Sequence, residues 1–379
     1  MLILHGMNKL ARGAMIHVNA DGLTGALTRI FAAAGGSETE ANAIAANLVE
    51  ASLSGHDSHG VIRTERYVHW TDEGSVRFGQ SVQMISEAPG FALMDGQFGF
   101  GQTIGPQAVQ HGIAMAKERG FALTGLRNSG HLGRIGAFAE MACAEGLVSL
   151  HFVNVANSVL VAPFGGAGRR MSTAPVSIGV PNQEGDFILD FATSRVAEGK
   201  VLVARKVRAE APEGSLIDGD GRLTRDTDAL YGPPEAGKVD NPRDGAGALA
   251  PMGDHKGSGL GIACELLAGA LTGSSVAIDD SMPVHNGMMS IYLDPKLMDD
   301  GHGWAGTVAD YLAEVRGCPP ADPAAPVMIP GDPERKRRAE RRAGGLPLAP
   351  DVWESILGAG AAKGLDRAEL AALAGGPAV

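Results

Sequence analysis

Gly99-Phe100-Gly101-Gln102-Thr103-Ile104-Gly105 is the stretch on which the fold turns. It follows an apolar run, Phe91 to Met94, that reads as a strand, and it precedes a helix expected over Pro106 to Arg119. Glycines between a strand and a helix are the setting of a dinucleotide fingerprint, where free helix amides hold a pyrophosphate. The spacing here is not GxGxxG, and the next strand runs into Gly125-Leu126-Arg127, with no acid for a ribose. The stretch therefore reads as a glycine turn leading into a helix, and the phosphate site of a Rossmann fold is set aside.

Outward from it, Leu23 to Ala34 has helical periodicity and stops at Gly35-Gly36. Ser37-Glu38-Thr39-Glu40 reads as a capping box opening a second helix to about Ser54. Strands are expected at Phe121 to Leu126, Leu147 to Val153, Ala174 to Val180, Phe187 to Leu189 and Met288 to Leu293. Helices are expected at Ile135 to Ala144, Thr193 to Lys206, Lys256 to Thr272, Thr307 to Val315 and Glu334 to Arg342, with two short ones at the C-terminus. Gly214 to Asp228 reads as a polar loop. Strands and helices alternate without a clean βαβ rhythm, which points to a mixed α/β fold rather than a doubly wound sheet.

The chain has 379 residues, and 44% are hydrophobic, enough for a packed core in more than one domain. Its formal charge of −11 gives no electrostatic reason to bind nucleic acid or an anionic membrane. Cys143, Cys264 and Cys318 are far apart and form no CxxC pair, as suits a reducing cytoplasm. The longest apolar run, Leu260 to Leu271, is too short to span a bilayer and contains Glu265. The first sixteen residues read as a frayed extension or an overlong start.

Gly55-His56-Asp57-Ser58-His59-Gly60-Val61-Ile62-Arg63 carries the chemistry. His59 and Arg63, four residues apart, would share a face of a helix. An arginine grips a carboxylate through two parallel hydrogen bonds, and a histidine exchanges a proton near neutral pH. Together they suit a 2-oxo or 2-hydroxy acid. Asn128-Ser129-Gly130-His131-Leu132-Gly133-Arg134-Ile135-Gly136 places a second histidine in a glycine loop that opens a helix, where free amides hold an anion. Asp190-Phe191-Ala192-Thr193-Ser194 sits at a strand-to-helix junction: Thr193 or Ser194 would cap the helix, and Asp190 would accept ribose hydroxyls. Lys256, at the positive end of its helix, hints at a nearby anion, although the order of residues is not that of a P-loop. The basic run Arg335-Lys336-Arg337-Arg338 reads as a solvated helix face. His56 and His59 have no third clustered ligand, so no metal is expected.

Taken in order, these segments resemble the type-2 malate/L-lactate dehydrogenase family of NAD(P)-dependent oxidoreductases. The matching runs are Gly55–Arg63, Asn128–Gly136, Ala162-Pro163-Phe164-Gly165-Gly166, Leu189–Lys200, Leu216–Thr224, His255–Glu265 and Pro330–Glu334. The His-Asp-Ser-His-Gly and Gly-Arg-Ile-Gly details look closest to its hydroxycarboxylate dehydrogenase branch. The resemblance implies a homodimer with a mixed-sheet fold distinct from Rossmann dehydrogenases. It also implies an N-terminal helical part for substrate and dimerisation (17–120, completed by 320–379) and a cofactor-binding domain (121–319). Implied cofactor contacts are His59, Gly133, Arg134, Ile135, Asp190, Phe191, Ala192, Thr193, Ser194, His255, Lys256, Asn286, Gly331, Asp332, Pro333 and Glu334. Substrate handling would fall to His59, Arg63 and His131. Ala174 stands where the family's run has Asn, Met288-Met289 where many members have His-Phe, and Asp332 where Glu is usual.

The expected activity is hydride transfer between nicotinamide and C2 of a 2-oxo or 2-hydroxy acid. A cyclic-imine or ureidoglycolate-type activity on the same scaffold, and a non-catalytic or metal-dependent role, are the rivals. No arginine pair is obviously placed for a 2′-phosphate, which favours NAD over NADP; Arg134 and Arg195 are the candidates to receive one.

Overall fold

The computed structural model describes residues 15–206, 208–235, 240–278 and 283–377. The N-terminal extension lies almost wholly outside them. The strands are β1 (Ile16–Val18), β2 (Gln83–Ala88), β3 (Phe91–Asp95), β4 (Phe121–Ser129), β5 (Val148–Ala156), β6 (Pro175–Val180), β7 (Phe187–Ala192), β8 (Leu216–Ile217), β9 (Leu223–Thr224), β10 (Ala248–Leu249), β11 (His285–Leu293) and β12 (Leu346–Leu348). The helices are α1 (Ala20–Ala33), α2 (Glu38–Leu53), α3 (Thr64–Asp72), α4 (Gly101–Arg119), α5 (Gly136–Ala144), α6 (Glu198–Lys206), α7 (Asp228–Tyr231), α8 (His255–Cys264), α9 (Trp304–Arg316), α10 (Asp332–Gly344), α11 (Pro350–Ala362) and α12 (Arg367–Ala374).

The main sheet has seven strands in the order β2-β3-β4-β11-β5-β6-β7. The β2–β3 pair is antiparallel and the β3–β4 pair parallel, so the sheet is mixed, as expected, and its order is not that of a Rossmann fold. β1 pairs antiparallel with β12, and β10-β8-β9 form a small antiparallel sheet.

Two compact units result. The larger comprises Met15–His151, Ser177–Asp190 and Met289–Val379; the smaller comprises Phe152–Val176 and Phe191–Met288. β4 continues the sheet beside β3, with Phe91 opposite Leu123 and Asp95 opposite Arg127, which draws residues 121–151 to the N-terminal part.

In the larger unit Leu23, Leu27, Ile30 and Phe31 of α1 pack with Ile44 and Leu48 of α2 and with Trp353, Ile356, Leu357 and Leu370 near the C-terminus. Each such side chain stabilises the unit by about 1.5–3 kcal/mol. Asn19 caps α1 by accepting from the Gly22 amide (2.8 Å). Ser37 caps α2 by accepting from the Glu40 amide (3.2 Å), but the box is half closed: the Glu40 carboxylate accepts from the Gly79 amide (2.8 Å) instead of reaching back.

Several elements differ from expectation. α4 begins at Gly101, not Pro106, so two glycines of the opening stretch lie inside a helix. Close approach requires them: a Cβ on Gly101 would lie 2.2 Å from the His131 carbonyl, and one on Gly105 2.4 Å from the Phe138 ring. In the smaller unit, residues 193–197 are not helical. The Thr193 amide donates to Thr173, Met252 donates to Thr193, and Arg195 donates to Ala250, so strand-like pairing wins over helix propensity there. Residues 214–228 are not a loop throughout, since β8 and β9 pair across the Asp218–Gly221 turn. The long apolar helix changes to a π turn over Glu265–Ala270. That turn lets the buried Glu265 carboxylate accept from the Ser172 amide (3.0 Å) and hydroxyl (2.5 Å), the Asn154 amide group (3.1 Å) and the Ala277 amide (3.1 Å).

Candidate active site

The end of α2 holds the histidine-bearing segment. The Ser52 hydroxyl accepts from the Val61 amide (3.1 Å), and the Cβ of any residue at Gly60 would sit 2.0 Å from that hydroxyl. The chain therefore bends sharply, and His59 and Arg63 lie on two separate 3₁₀ turns, Asp57–His59 and Val61–Arg63, instead of one helix face. Arg63 Nε donates to the Ser58 carbonyl (2.6 Å), and His59 Nδ1 is 2.9 Å from the Ser58 hydroxyl. The turns feed directly into α3, which carries Tyr67.

His131 arrives from the other side. Asn128, next to last in β4, has φ +52, a left-handed conformation that asparagine tolerates. Asp95 holds this corner by accepting from Arg127 Nε (2.8 Å) and Asn128 Nδ2 (2.9 Å), and the Gly130 amide donates to the Gly99 carbonyl (2.8 Å). The His59 and His131 rings consequently stack, with centroids 5.5 Å apart and planes 17° from parallel. The Tyr67 hydroxyl lies 2.7 Å from His131 Nδ1, and Gln102 Nε2 donates to both the Tyr67 oxygen (3.1 Å) and the His131 carbonyl (3.0 Å).

Both imidazoles are held neutral. Burial, then the charges of Arg63 and His56, lower the His59 pKa from 6.5 to about 3. Burial, then the charges of Arg63, His59 and Arg66, hold His131 well below its ordinary value. Burial pushes Tyr67 up to about 12, against the opposing pull of Arg63. The corner thus combines a guanidinium, two neutral imidazoles and a protonated phenol, a set suited to binding an anion and exchanging a proton.

The other expected residues divide between the two units. In the larger unit Gly133 has φ +74, and Ile135 is buried at the start of α5. Arg134 is buried, with both terminal nitrogens on Glu140 (2.9 and 2.8 Å); its Nε has no hydrogen-bond partner. Asp190 accepts from the Gly136 amide (2.7 Å). Gly331 has φ +100, which glycine favours. Pro333 lies in the first turn of α10, and Glu334 pairs with His56 Nε2 (3.2 Å). Asp332 accepts from Arg316 (3.0 Å), Arg335 (2.6 Å) and the Ile329 amide (3.1 Å), and these bonds, Arg316 foremost, lower its pKa to about 2. The basic run is thus not merely a solvated face, because Arg335 and Arg338 make part-buried hydrogen bonds, Arg338 with Glu50 and Glu140.

In the smaller unit Phe191 and Ala192 end β7. Thr193 and Ser194 do not cap a helix: Thr193 Oγ1 donates to Thr173 (3.2 Å), and Ser194 Oγ donates to the Val196 carbonyl (2.8 Å), before α6 begins. His255 and Lys256 are exposed at the start of α8, with the His255 ring 6.0 Å from Phe164. Asn286 is buried and donates to the Asn154 carbonyl (2.8 Å). Ala174 is buried at φ +32, backbone that suits asparagine better than alanine.

Sequence reading missed Tyr67, Gln102 and Glu140. Tyr67 lies four residues beyond Arg63, a spacing that could have marked it. Gln102 was hidden inside the rejected glycine stretch, and Glu140 could not be paired with Arg134 without knowing that the loop folds back on α5.

The fold and this corner define a non-Rossmann α/β protein in which two neutral imidazoles and a phenol lie beside a cation. Comparison with known proteins gives the class its family. Residues 18–357 match the family model described as malate/L-lactate dehydrogenase, and the chain belongs to that family. Hydroxycarboxylate dehydrogenase B of Escherichia coli O157:H7 is 34% identical over 350 residues, covering 90% of this chain and 93% of the relative. L-lactate dehydrogenase of Cupriavidus necator is 34% identical, covering 83% and 89%. The solved structure of a malate/lactate dehydrogenase from E. coli superposes with a TM-score of 0.87 at 32% identity, covering 94% and 98%.

Proposed function

We propose that this protein moves a hydride between a nicotinamide dinucleotide and C2 of a 2-oxo or 2-hydroxy carboxylic acid of the malate, lactate, hydroxypyruvate or aryl-pyruvate type. The observation that carries this reading is the Tyr67 hydroxyl 2.7 Å from His131 Nδ1, in the same corner as His59 and Arg63. The dinucleotide fits the residues present. Gln102 Oε1 and Asn47 Oδ1 are buried acceptors without a partner, and the Asn47 oxygen and the Gln102 side chain both border Gly133, which suits an amide donor such as a carboxamide. When bound in its reduced form, the nicotinamide supplies the hydride.

Arg63 grips the substrate carboxylate, which brings C2 and its oxygen to the imidazoles. His131 exchanges the proton with the C2 oxygen, and His59 stacks on the His131 ring beside it. Asp190, the backbone of Gly133–Ile135 and Gly331–Glu334 hold the dinucleotide in the larger unit. Phe191–Ser194, His255, Lys256 and Asn286 are the dinucleotide contacts that this reading places on the smaller unit. The division into a substrate and dimerisation part (17–120 with 320–379) and a cofactor part (121–319) belongs to the same proposal. Arg134 is engaged with Glu140, which supports NAD over NADP.

A homodimer in the cytoplasm completes the reading. Ile262, Leu266 and Leu271 are 43%, 57% and 66% exposed along one helical stretch, an apolar surface that a second copy would cover. Among the described residues no helix is long and apolar enough to cross a membrane. The test is an absorbance assay of both reduced nicotinamides against glyoxylate, pyruvate, hydroxypyruvate, phenylpyruvate, oxaloacetate and cyclic imines, with and without a chelator. Turnover of a linear 2-oxo acid by wild type, lost in His131→Ala, supports the reading. Turnover confined to imines, or dependent on a metal, overturns it.

A further inference from the structure

The glycine stretch has a second role, which rests on the reading of His131 above. We infer that Gln102 is a positioning residue that fixes the direction of the Tyr67–His131 hydrogen bond and so the tautomer of His131. The helix α4 begins one residue before Gln102, and Gly101 and Gly105 let it press against the His131 loop. Gln102 is only 3% exposed, so its amide orientation is decided by its partners.

The logic is one of donors and acceptors. The His131 carbonyl has only lone pairs, so the Gln102 atom 3.0 Å from it is the NH2 group. That same NH2 lies 3.1 Å from the Tyr67 oxygen and donates to it. Tyr67 is then left to give its own hydrogen to His131 Nδ1, 2.7 Å away. An imidazole whose Nδ1 accepts, and which is neutral, carries its proton on Nε2. His131 therefore presents an N–H donor rather than a lone pair.

This orders the proton transfer. As C2 receives the hydride from the reduced nicotinamide, the carbonyl π pair moves onto oxygen. The new O–H bond forms as the Nε2–H bond breaks, the Nδ1–H bond forms as the Tyr67 O–H bond breaks, and Tyr67 is left as phenolate. Burial disfavours that phenolate, and the charge of Arg63, the Gln102 NH2 that stays hydrogen-bonded to it and the charge of Arg66 offset part of that cost. Tyr67 regains its proton from water. His59, whose ring stacks on that of His131, is the other titratable group acting on the pair.

The test has two parts. Nitrogen-15 NMR of the substrate-free enzyme reads the His131 tautomer directly: the account expects Nε2–H in wild type, and a mixture or Nδ1–H in Gln102→Glu, whose carboxylate accepts from Tyr67 instead of donating. Nδ1–H in wild type overturns the inference whatever the activity. The second part is a double-mutant cycle in turnover. Gln102→Met, similar in volume but without a donor, lowers kcat measured at saturating nicotinamide about tenfold. In a Tyr67→Phe background the same substitution costs less than about twofold, because its target is gone. Equal losses in both backgrounds mark a merely structural role and overturn the inference. A shifted tautomer with unchanged kcat leaves the positioning intact and instead removes His131 as the acid, which separates failure of the functional reading from failure of this one.

Discussion

Changing pH from about 6 to about 9 during reduction of a 2-oxo acid separates two ways of delivering the proton. If His131 acts as an imidazolium, the competent fraction of free enzyme shrinks as pH rises. Even an ordinary imidazole, titrating at about 6.5, would be roughly one-tenth protonated at pH 7.5. His131 lies lower, through burial and the charge of Arg63, so kcat/KM for reduction would fall about tenfold per unit across the whole range. If instead neutral His131 donates from Nε2 and draws on Tyr67, the competent form is neutral imidazole with protonated phenol. Tyr67 titrates only at about 12, so that form dominates throughout, and kcat/KM for reduction stays within about twofold. Because reduction consumes one proton overall, oxidation of the hydroxy acid must then accelerate about tenfold per unit. The assay is initial rates in both directions, at constant ionic strength and low substrate. A declining reduction limb with flat oxidation refutes the relay.

Three further outcomes follow from the same geometry. Arg63→Lys keeps the charge but loses the planar fork, so KM for the oxo acid rises about tenfold or more while nicotinamide binding is unchanged, as steady-state kinetics will read. Gly60→Ala places a methyl 2.0 Å from the Ser52 hydroxyl, costs about 1–3 kcal/mol in urea unfolding, and displaces His59 enough to cut kcat at least tenfold. His151, buried between the Ser290 (2.8 Å) and Ser149 (3.1 Å) hydroxyls, is lowered by burial to about 3. Its folded pKa lies below its unfolded one, so it contributes stability above about pH 6.5 and loses about 1.4 kcal/mol per unit below it; His151→Gln should flatten the wild-type decline in urea midpoint between pH 7 and 5.

Legibility in the sequence tracked locality. Helices with capped ends and a period near 3.6, such as α1 and α2, were readable because their cause lies within the segment. Glu40 was misread because its carboxylate answers Gly79, a partner 39 residues away. The 193–197 segment and the π turn at Glu265 depend on pairing with residues 250–252 and on Ser172, so propensity alone could not find them. His59, Arg63 and His131 stood out because imidazole and guanidinium among glycines are chemically conspicuous. Tyr67 and Gln102 look like ordinary helix residues until the stacking of two distant loops brings them to His131. The same glycine stretch that excluded a phosphate loop proved to be the surface on which His131 is seated.

The central claim is tested most directly by isotope transfer. Reduced nicotinamide carrying deuterium at the transferable C4 position is incubated with the enzyme and a 2-oxo acid, and the product is weighed by mass spectrometry. One deuteron at C2 of the hydroxy acid in wild type, with that product lost in His131→Ala although the dinucleotide still binds, is the result the account predicts. Deuterium retained on the nicotinamide with every oxo acid tried, or transfer at an undiminished rate in His131→Ala, would contradict it.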